Sequence, residues 1–327
     1  MMNRLLIATA ALLGLAGLAL AQPIRADGSS TVYPITQAVA EEFNIARPDV
    51  RVTVAFSGTG GGFKKFCVGE TDLQNASRPI LKSEMDECRK NGVEYIEIPV
   101  AFDGLTVVVN PRNTWAQCLT VAELRRIWEP DSKINFWNQI RPNFPARQLV
   151  LYGAGPDSGT FDYFTEAIVG KSKAIRKDYF PSEDDNVLVR GVEGNVNAMG
   201  FFGYAYYVEE KGKLKALAID NGKGCVAPTE ATINNGTYAP LSRPLFIYVN
   251  VKSLNEKRSL QDFVNFFLTN NRARNAIRKT GYVLLPDEAY RIGKVLVDKR
   301  VKGSVFSGIE PGTPLVEIMK KLEAEAR

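Results

Sequence analysis

Residues 24–62 read IRADGSSTVYPITQAVAEEFNIARPDVRVTVAFSGTGGG, and this stretch decides the fold. Ile24–Asp27 predicts a short strand. Ser30–Asn44 predicts a helix, with Val32, Ile35, Val39 and Phe43 on one face. Val50–Phe56 predicts a second strand, and the loop Ser57-Gly58-Thr59-Gly60-Gly61-Gly62 follows it. Alternation of strand and helix with short turns argues for a mostly parallel sheet flanked by helices.

The alternation continues outward. Helices are expected at Gly62–Val68 and Ser83–Asn91, and strands at Asp72–Ala76 and Glu94–Pro99. Beyond them, Gly104–Asn110 predicts a strand, Val121–Trp128 a helix capped by Thr120, and Gln148–Gly153 a strand. Phe161–Val169 reads as a helix and Arg243–Val251 as a strand. Leu260–Leu268, Asn271–Lys279 and Pro314–Ala326 read as helices. The strands around 98–108 and 243–250 look like two crossings between lobes. That gives a discontinuous first lobe, 22–103 plus 245–327, and a second lobe, 104–244.

The 327 residues are too many for one compact core, and 45% hydrophobic with 24% charged residues is ordinary for a globular protein. The net charge is +5, but Lys and Arg are scattered, so no basic groove for nucleic acid is expected. There is no histidine. This excludes the Ser-His-Asp and Cys-His nucleophile arrangements and removes the commonest zinc ligand. No metal or other cofactor is expected.

Residues 1–21 resemble a signal peptide. Arg4 precedes an apolar run from Leu5 to Leu18, and Ala19-Leu20-Ala21 fits a cleavage site. The run is too short to span a membrane, and no cysteine follows it for a lipid anchor. A periplasmic location is therefore expected. Export makes Cys67, Cys88, Cys118 and Cys225 candidates for disulfides, which three pairings allow. Cys67 and Cys88 flank one compact stretch and are expected to bridge, leaving Cys118 with Cys225. In the chain-entropy picture such bridges stabilise by about 3 and about 5 kcal/mol.

Four Ser/Thr/Gly loops precede helices or end strands: Gly28-Ser29-Ser30-Thr31, the 57–62 loop, Ser77-Arg78-Pro79, and Asp157-Ser158-Gly159-Thr160. Helix starts expose unpaired N–H groups with partial positive charge, glycine admits a ligand close to the backbone, and hydroxyls add rotatable donors. Together they make a cradle for an oxyanion. Singly, each Ser or Thr also reads as an ordinary helix cap. Arg78 could fork onto two oxygens or serve a surface ion pair. No loop matches GxxxxGK(S/T), so nucleotide hydrolysis is not implied.

DGSSTVYPIT, FSGTGGGFKKFC, NASRPI and DSGTFDYF, in this order and spacing, resemble the periplasmic phosphate-binding proteins of ABC transporters. LTVAELRRIW and GFFGYAYY add to the likeness, which covers nearly all of the chain beyond residue 21. The resemblance implies an α/β, type II periplasmic-binding-protein fold, with two lobes of mostly parallel sheet joined by two crossover strands. It also implies a monomer that binds inorganic phosphate without covalent chemistry and passes it to a membrane permease. Carried over by position, the phosphate ligands are Ser30, Thr31, Thr59 with Ser57 close by, and Ser158, Gly159 and Thr160; Ser77 and Arg78 are added from the reading of the third loop. Two departures stand out. Some members place an Asp after the Ala-Ser of the third loop, as acceptor of the proton on monohydrogen phosphate; this chain has Arg78. Some carry an Arg before the DGSGT loop; this chain has Ala154-Gly155-Pro156. Asp157 is the candidate replacement acceptor. A receptor for sulfate or molybdate is the nearest alternative, and a secreted phosphatase a remote one.

Overall fold

The computed structural model describes residues 22–29, 31–156, 158–182, 184–210, 212–307 and 315–325. The expected leader, Ser30 and Asp157 lie outside them. The strands are β1 (Ile24–Gly28), β2 (Val52–Val54), β3 (Leu73–Ala76), β4 (Tyr95–Val109), β5 (Cys118–Thr120), β6 (Val150–Ala154), β7 (Phe180–Ser182), β8 (Ala198–Gly203), β9 (Lys215–Ala216), β10 (Ala218–Asp220), β11 (Cys225–Val226) and β12 (Ser242–Asn250). The main sheet runs β2-β1-β3-β12-β4-β8-β6-β7, with β9 also on β4, and β11-β10-β5 form a small separate sheet.

The two central strands join the halves of the molecule. β4 pairs with β12 along Tyr95–Gly104, then with β8 along Leu105–Val109. The outer pairs β1·β2, β1·β3, β6·β7 and β6·β8 are parallel, whereas every pair made by β4 or β12 is antiparallel. The sheet is thus parallel in each half and antiparallel at the seam.

β4 merges the two strands expected at Glu94–Pro99 and Gly104–Asn110. Pro99 cannot donate to a ladder and so read as a strand end. Here it sits beside a register shift in the β12 pairing, where such a defect is tolerated. Across the shift Tyr290 donates a hydrogen bond to the Val100 carbonyl at 2.8 Å, so the irregular stretch keeps its partners.

The helices are α1 (Tyr33–Ala46), α2 (Thr59–Phe66), α3 (Lys82–Lys90), α4 (Val121–Trp128), α5 (Gly159–Phe164), α6 (Asp185–Gly194), α7 (Tyr204–Glu209), α8 (Glu230–Asn234), α9 (Val251–Glu256), α10 (Arg258–Thr269), α11 (Asn271–Lys279), α12 (Asp287–Asp298) and α13 (Leu315–Glu325). α4 starts after Thr120 as expected, with a reciprocal Thr120–Glu123 capping box. α2 starts three residues before Gly62, so the glycines form its first turn rather than a loop. The reason is packing. A side chain at Gly62 would meet Gln74 Oε1 at 2.1 Å and the Gly28 Cα at 2.5 Å, so only glycine lets α2 lie this close to β1. A π-turn, Thr165–Val169, continues α5.

Disulfides link Cys67 to Cys88 and Cys118 to Cys225, the pairing expected. The first ties α2 to α3; the second ties β5 to β11. Among the described residues no helix is long and apolar enough to cross a membrane.

Candidate functional site

A cavity of about 230 Å3 opens between the two halves of the sheet. It is lined by Ser29, Thr31, Gly58, Thr59, Gly60, Ser77 and Arg78 from the first half, Asp162, Glu166 and Ser172 from the second, and Arg243 on β12. This is below the roughly 300–1,000 Å3 of sites for drug-sized ligands, so the occupant is small.

The first-half wall is built at strand ends. Thr59 and Ser77 hydroxyls lie 3.2 Å apart, and the Ser77 amide donates to Thr59 Oγ1 at 3.3 Å. α2 begins beside them. Its first helical bond runs from the Gly62 amide to the Gly58 carbonyl, so the amides of residues 59–61 precede the hydrogen-bonded ladder. The Ser29 hydroxyl accepts from the Thr31 amide at 3.2 Å, folding this loop tightly at the mouth of β1. Aromatic packing fixes α2 from behind, with Phe63 edge-on to Tyr248 at 4.9 Å.

Asp27 braces this wall without lining the cavity. Its Oδ1 accepts from the Gly28 amide at 2.7 Å and from Ser57 Oγ at 2.8 Å, and Lys65 pairs with Oδ2. Burial pushes its carboxyl up, but Lys65, Ser57 and the Gly28 amide outweigh this and hold it below the usual range. Ser57 is therefore engaged by Asp27, and it is not among the residues that line the cavity.

Arg78 lines the cavity, but its fork is occupied. Its two terminal nitrogens donate to Glu84 at 2.8 and 2.9 Å. Burial disfavours the Arg78 cation, and Glu84 more than offsets that. Glu84 also accepts from the Leu81 amide at 2.9 Å, at the start of α3.

Arg243 supplies a cation that sequence reasoning did not assign. It pairs in the ladder opposite Asp103, with its guanidinium 3.6 Å from Asp103 Oδ2 and 3.6 Å above the Tyr163 ring. Burial pushes the Asp103 carboxyl up and Arg243 opposes this. In the sequence Arg243 is merely the first residue of an expected strand; its partners lie 140 and 80 positions earlier in the numbering.

The second-half wall differs from expectation. Ser158 caps α5 by accepting from the Thr160 amide at 3.2 Å, and among the described residues Ser158 and Thr160 do not line the cavity. From this segment Asp162 and Glu166 line it instead. They stand four and eight residues beyond Ser158, one helical face, a spacing visible in the sequence. Burial pushes the Asp162 carboxyl up, while Lys173 and Arg243 pull it down. Phe164, stacked on Phe201 at 3.8 Å and edge-on to Trp128 at 5.5 Å, anchors α5 to the sheet and α4. Hydroxyls, helix-start amides and guanidiniums converge here on a small space, an arrangement suited to holding an oxyanion. Among the described residues no cluster of His, Cys, Asp or Glu has metal-binding geometry.

A model of the PBP superfamily domain matches residues 16–271. The chain is 51% identical over 289 residues to Protein SphX of Synechocystis sp., covering 88% of this chain and 85% of that one. It is 39% identical over 269 residues to the phosphate-binding protein PstS of Staphylococcus saprophyticus, covering 82% of each. The chain belongs to the phosphate-binding-protein family of the PBP superfamily. The crystal structure of a possible phosphate binding protein from Planctomyces limnophilus superposes with a TM-score of 0.81 at 46% identity, over 87% of this chain and all of that one. The fold is accordingly that of the type II periplasmic binding proteins, and the family is one of transport binding proteins.

Within this phosphate-binding-protein family member, the structure brings Thr31, Thr59, Ser77 and Arg78 to one cavity. It engages Ser57 with Asp27 and uses Ser158 as a helix cap. Gly159 opens α5, with the Thr160 amide beside it.

Proposed function

We propose that the chain binds inorganic phosphate in the cavity between its halves and delivers it to the permease of an ABC phosphate importer. The observation that carries this is the convergence of Ser29, Thr31, Thr59 and Ser77 hydroxyls, the α2 amides, and the Arg78 and Arg243 guanidiniums on about 230 Å3. The family of transport receptors, to which the chain belongs, supports the reading. Binding involves no covalent step. The protein works outside the cytoplasmic membrane, in the periplasm, after loss of residues 1–21, and the two disulfides suit such an oxidising space.

The halves act as lobes, 22–103 plus 245–327 and 104–244, hinged on β4 and β12. The switch of β4 from β12 to β8 at Gly104 and Leu105 supports this division. In the closed form the start of α5, Ser158-Gly159-Thr160, turns its amides and hydroxyls onto the anion. Ser30 is a further ligand by its position in the family motif. Titrating the mature protein with phosphate, arsenate, sulfate and molybdate by calorimetry tests the reading. Phosphate should bind tightest, with arsenate near it; binding of sulfate or molybdate alone would overturn it.

A further inference from the structure

An anion receptor gains nothing obvious from carboxylates, yet this cavity carries two. Asp162 is answered locally, with Lys173 at 3.9 Å. Glu166 is not: among the described residues no ammonium or guanidinium lies within 4 Å of it. It nevertheless lines both the 230 Å3 cavity and an adjoining one of about 180 Å3, and Ser77, Arg78 and Arg243 line the same two spaces. Its position is built. Glu166 lies in the π-turn, an irregularity found often at functional sites. The turn is pinned by the buried neighbour Thr165, whose hydroxyl donates to the Phe161 carbonyl at 2.9 Å and accepts from the Lys173 amide at 2.8 Å. Gly170, in left-handed conformation, closes the turn by donating to the Thr165 and Glu166 carbonyls at 3.1 Å. The charge of Glu166 also acts on Arg78, favouring its cation.

We propose that Glu166 is a tethered counter-ion of the anion site, a residue that sets affinity by competing with the ligand. This deepens the phosphate-receptor reading and rests on it. Without ligand, the carboxylate adds to what Glu84 and Asp103 already set against the Arg78 and Arg243 charge, which would otherwise attract small anions more strongly. A bound oxyanion must work against it. Glu166 therefore costs affinity for every anion, and by Coulomb's law the cost grows with the charge of the anion.

Calorimetric titration of phosphate and sulfate into wild type, Glu166→Gln and Glu166→Asp tests this. Glu166 is exposed, so neither variant endangers folding. Glu166→Gln should tighten both anions about fivefold at low salt. The gain should shrink in high salt, because an exposed charge is screened. Glu166→Asp keeps the charge and should stay near wild type. Unchanged affinities in Glu166→Gln would overturn the proposal. So would weaker phosphate with stronger sulfate, which would make Glu166 an acceptor for a ligand proton. If wild type binds neither anion while properly folded, the oxyanion-site reading falls too, and that outcome is separate from the others.

Discussion

The two walls of the cavity are held in place by different means. The first-half wall is cross-braced: Asp27 holds Ser57 and Gly28, Thr59 meets Ser77, Glu84 grips Arg78, and the Cys67–Cys88 bridge fixes α2 to α3. The second-half wall is one short helix and a π-turn, anchored from behind by Phe164 and Trp128, with an acidic face toward the cavity. A braced wall presents donors at fixed positions and needs no rearrangement to bind. A wall hung on one helix is suited to being moved. Between them, Arg243 rides on the strand that joins the halves. If the second wall moves on binding, phosphate capture is the closing of that wall onto a preformed half-site.

The largest expected effect breaks the comparison at its middle. Arg243 holds the seam cation, 3.6 Å from the buried Asp103. Removing a charged partner from a desolvated site costs about 2–5 kcal/mol, so Arg243→Ala should weaken phosphate roughly 30-fold or more. Arg243→Lys should recover only part, because an ammonium lacks the planar fork. Arg78→Ala should cost less affinity than Arg243→Ala, since its fork already belongs to Glu84. Isotherms on the three variants decide; an Arg78 loss larger than the Arg243 loss would return the main cation to the first wall.

A middle-sized effect tests movement of the second wall. If closure brings the start of α5 onto the anion, Thr160→Val should lower phosphate affinity about tenfold, by removing one hydroxyl donor from a charged ligand. Small-angle scattering should show compaction of the wild type on adding phosphate. Full affinity in Thr160→Val together with unchanged scattering would mean that the cavity works as it stands, with Ser172 as the second wall's hydroxyl.

What the sequence made legible follows the range of the interactions concerned. α4 and its Thr120 cap are written in eight consecutive residues, and so is the hydroxyl-rich character of the first wall. The start of α2 was misplaced because a glycine run is a poor helix by propensity; the cause of its helicity, the close contact of Gly62 with Gly28 and Gln74, is tertiary. The unity of β4 was hidden by Pro99 for the same reason. α6 and α12 went unassigned. Arg243 was invisible because a site cation on a seam strand is defined by Asp103 and Tyr163, far away in sequence. The acidic face of α5 and its π-turn is readable from the spacing of Ser158, Asp162 and Glu166, whereas its facing the cavity depends on contacts distant in sequence.

The smallest effect probes the brace itself. Asp27 is buried, with Lys65, Ser57 and the Gly28 amide all favouring its ionised form. Because its folded pKa is lowered, the carboxylate contributes stability that is present above the unfolded carboxylate value, about 3.9. That stability is lost as pH falls from there through the folded value. Asp27→Asn should cost about 1–2 kcal/mol at neutral pH, the worth of hydrogen bonds to a charged group. Its penalty should shrink below pH ~4, as first the unfolded and then the folded wild type takes up the proton. Phosphate affinity should fall only slightly, because Asp27 does not line the cavity and acts on it only by bracing the backbone at 28–29. Denaturant melts of both proteins from pH 7 to pH 3 measure this. A penalty that stays constant down to pH 3 would mean that the brace depends on shape and not on the Asp27 charge.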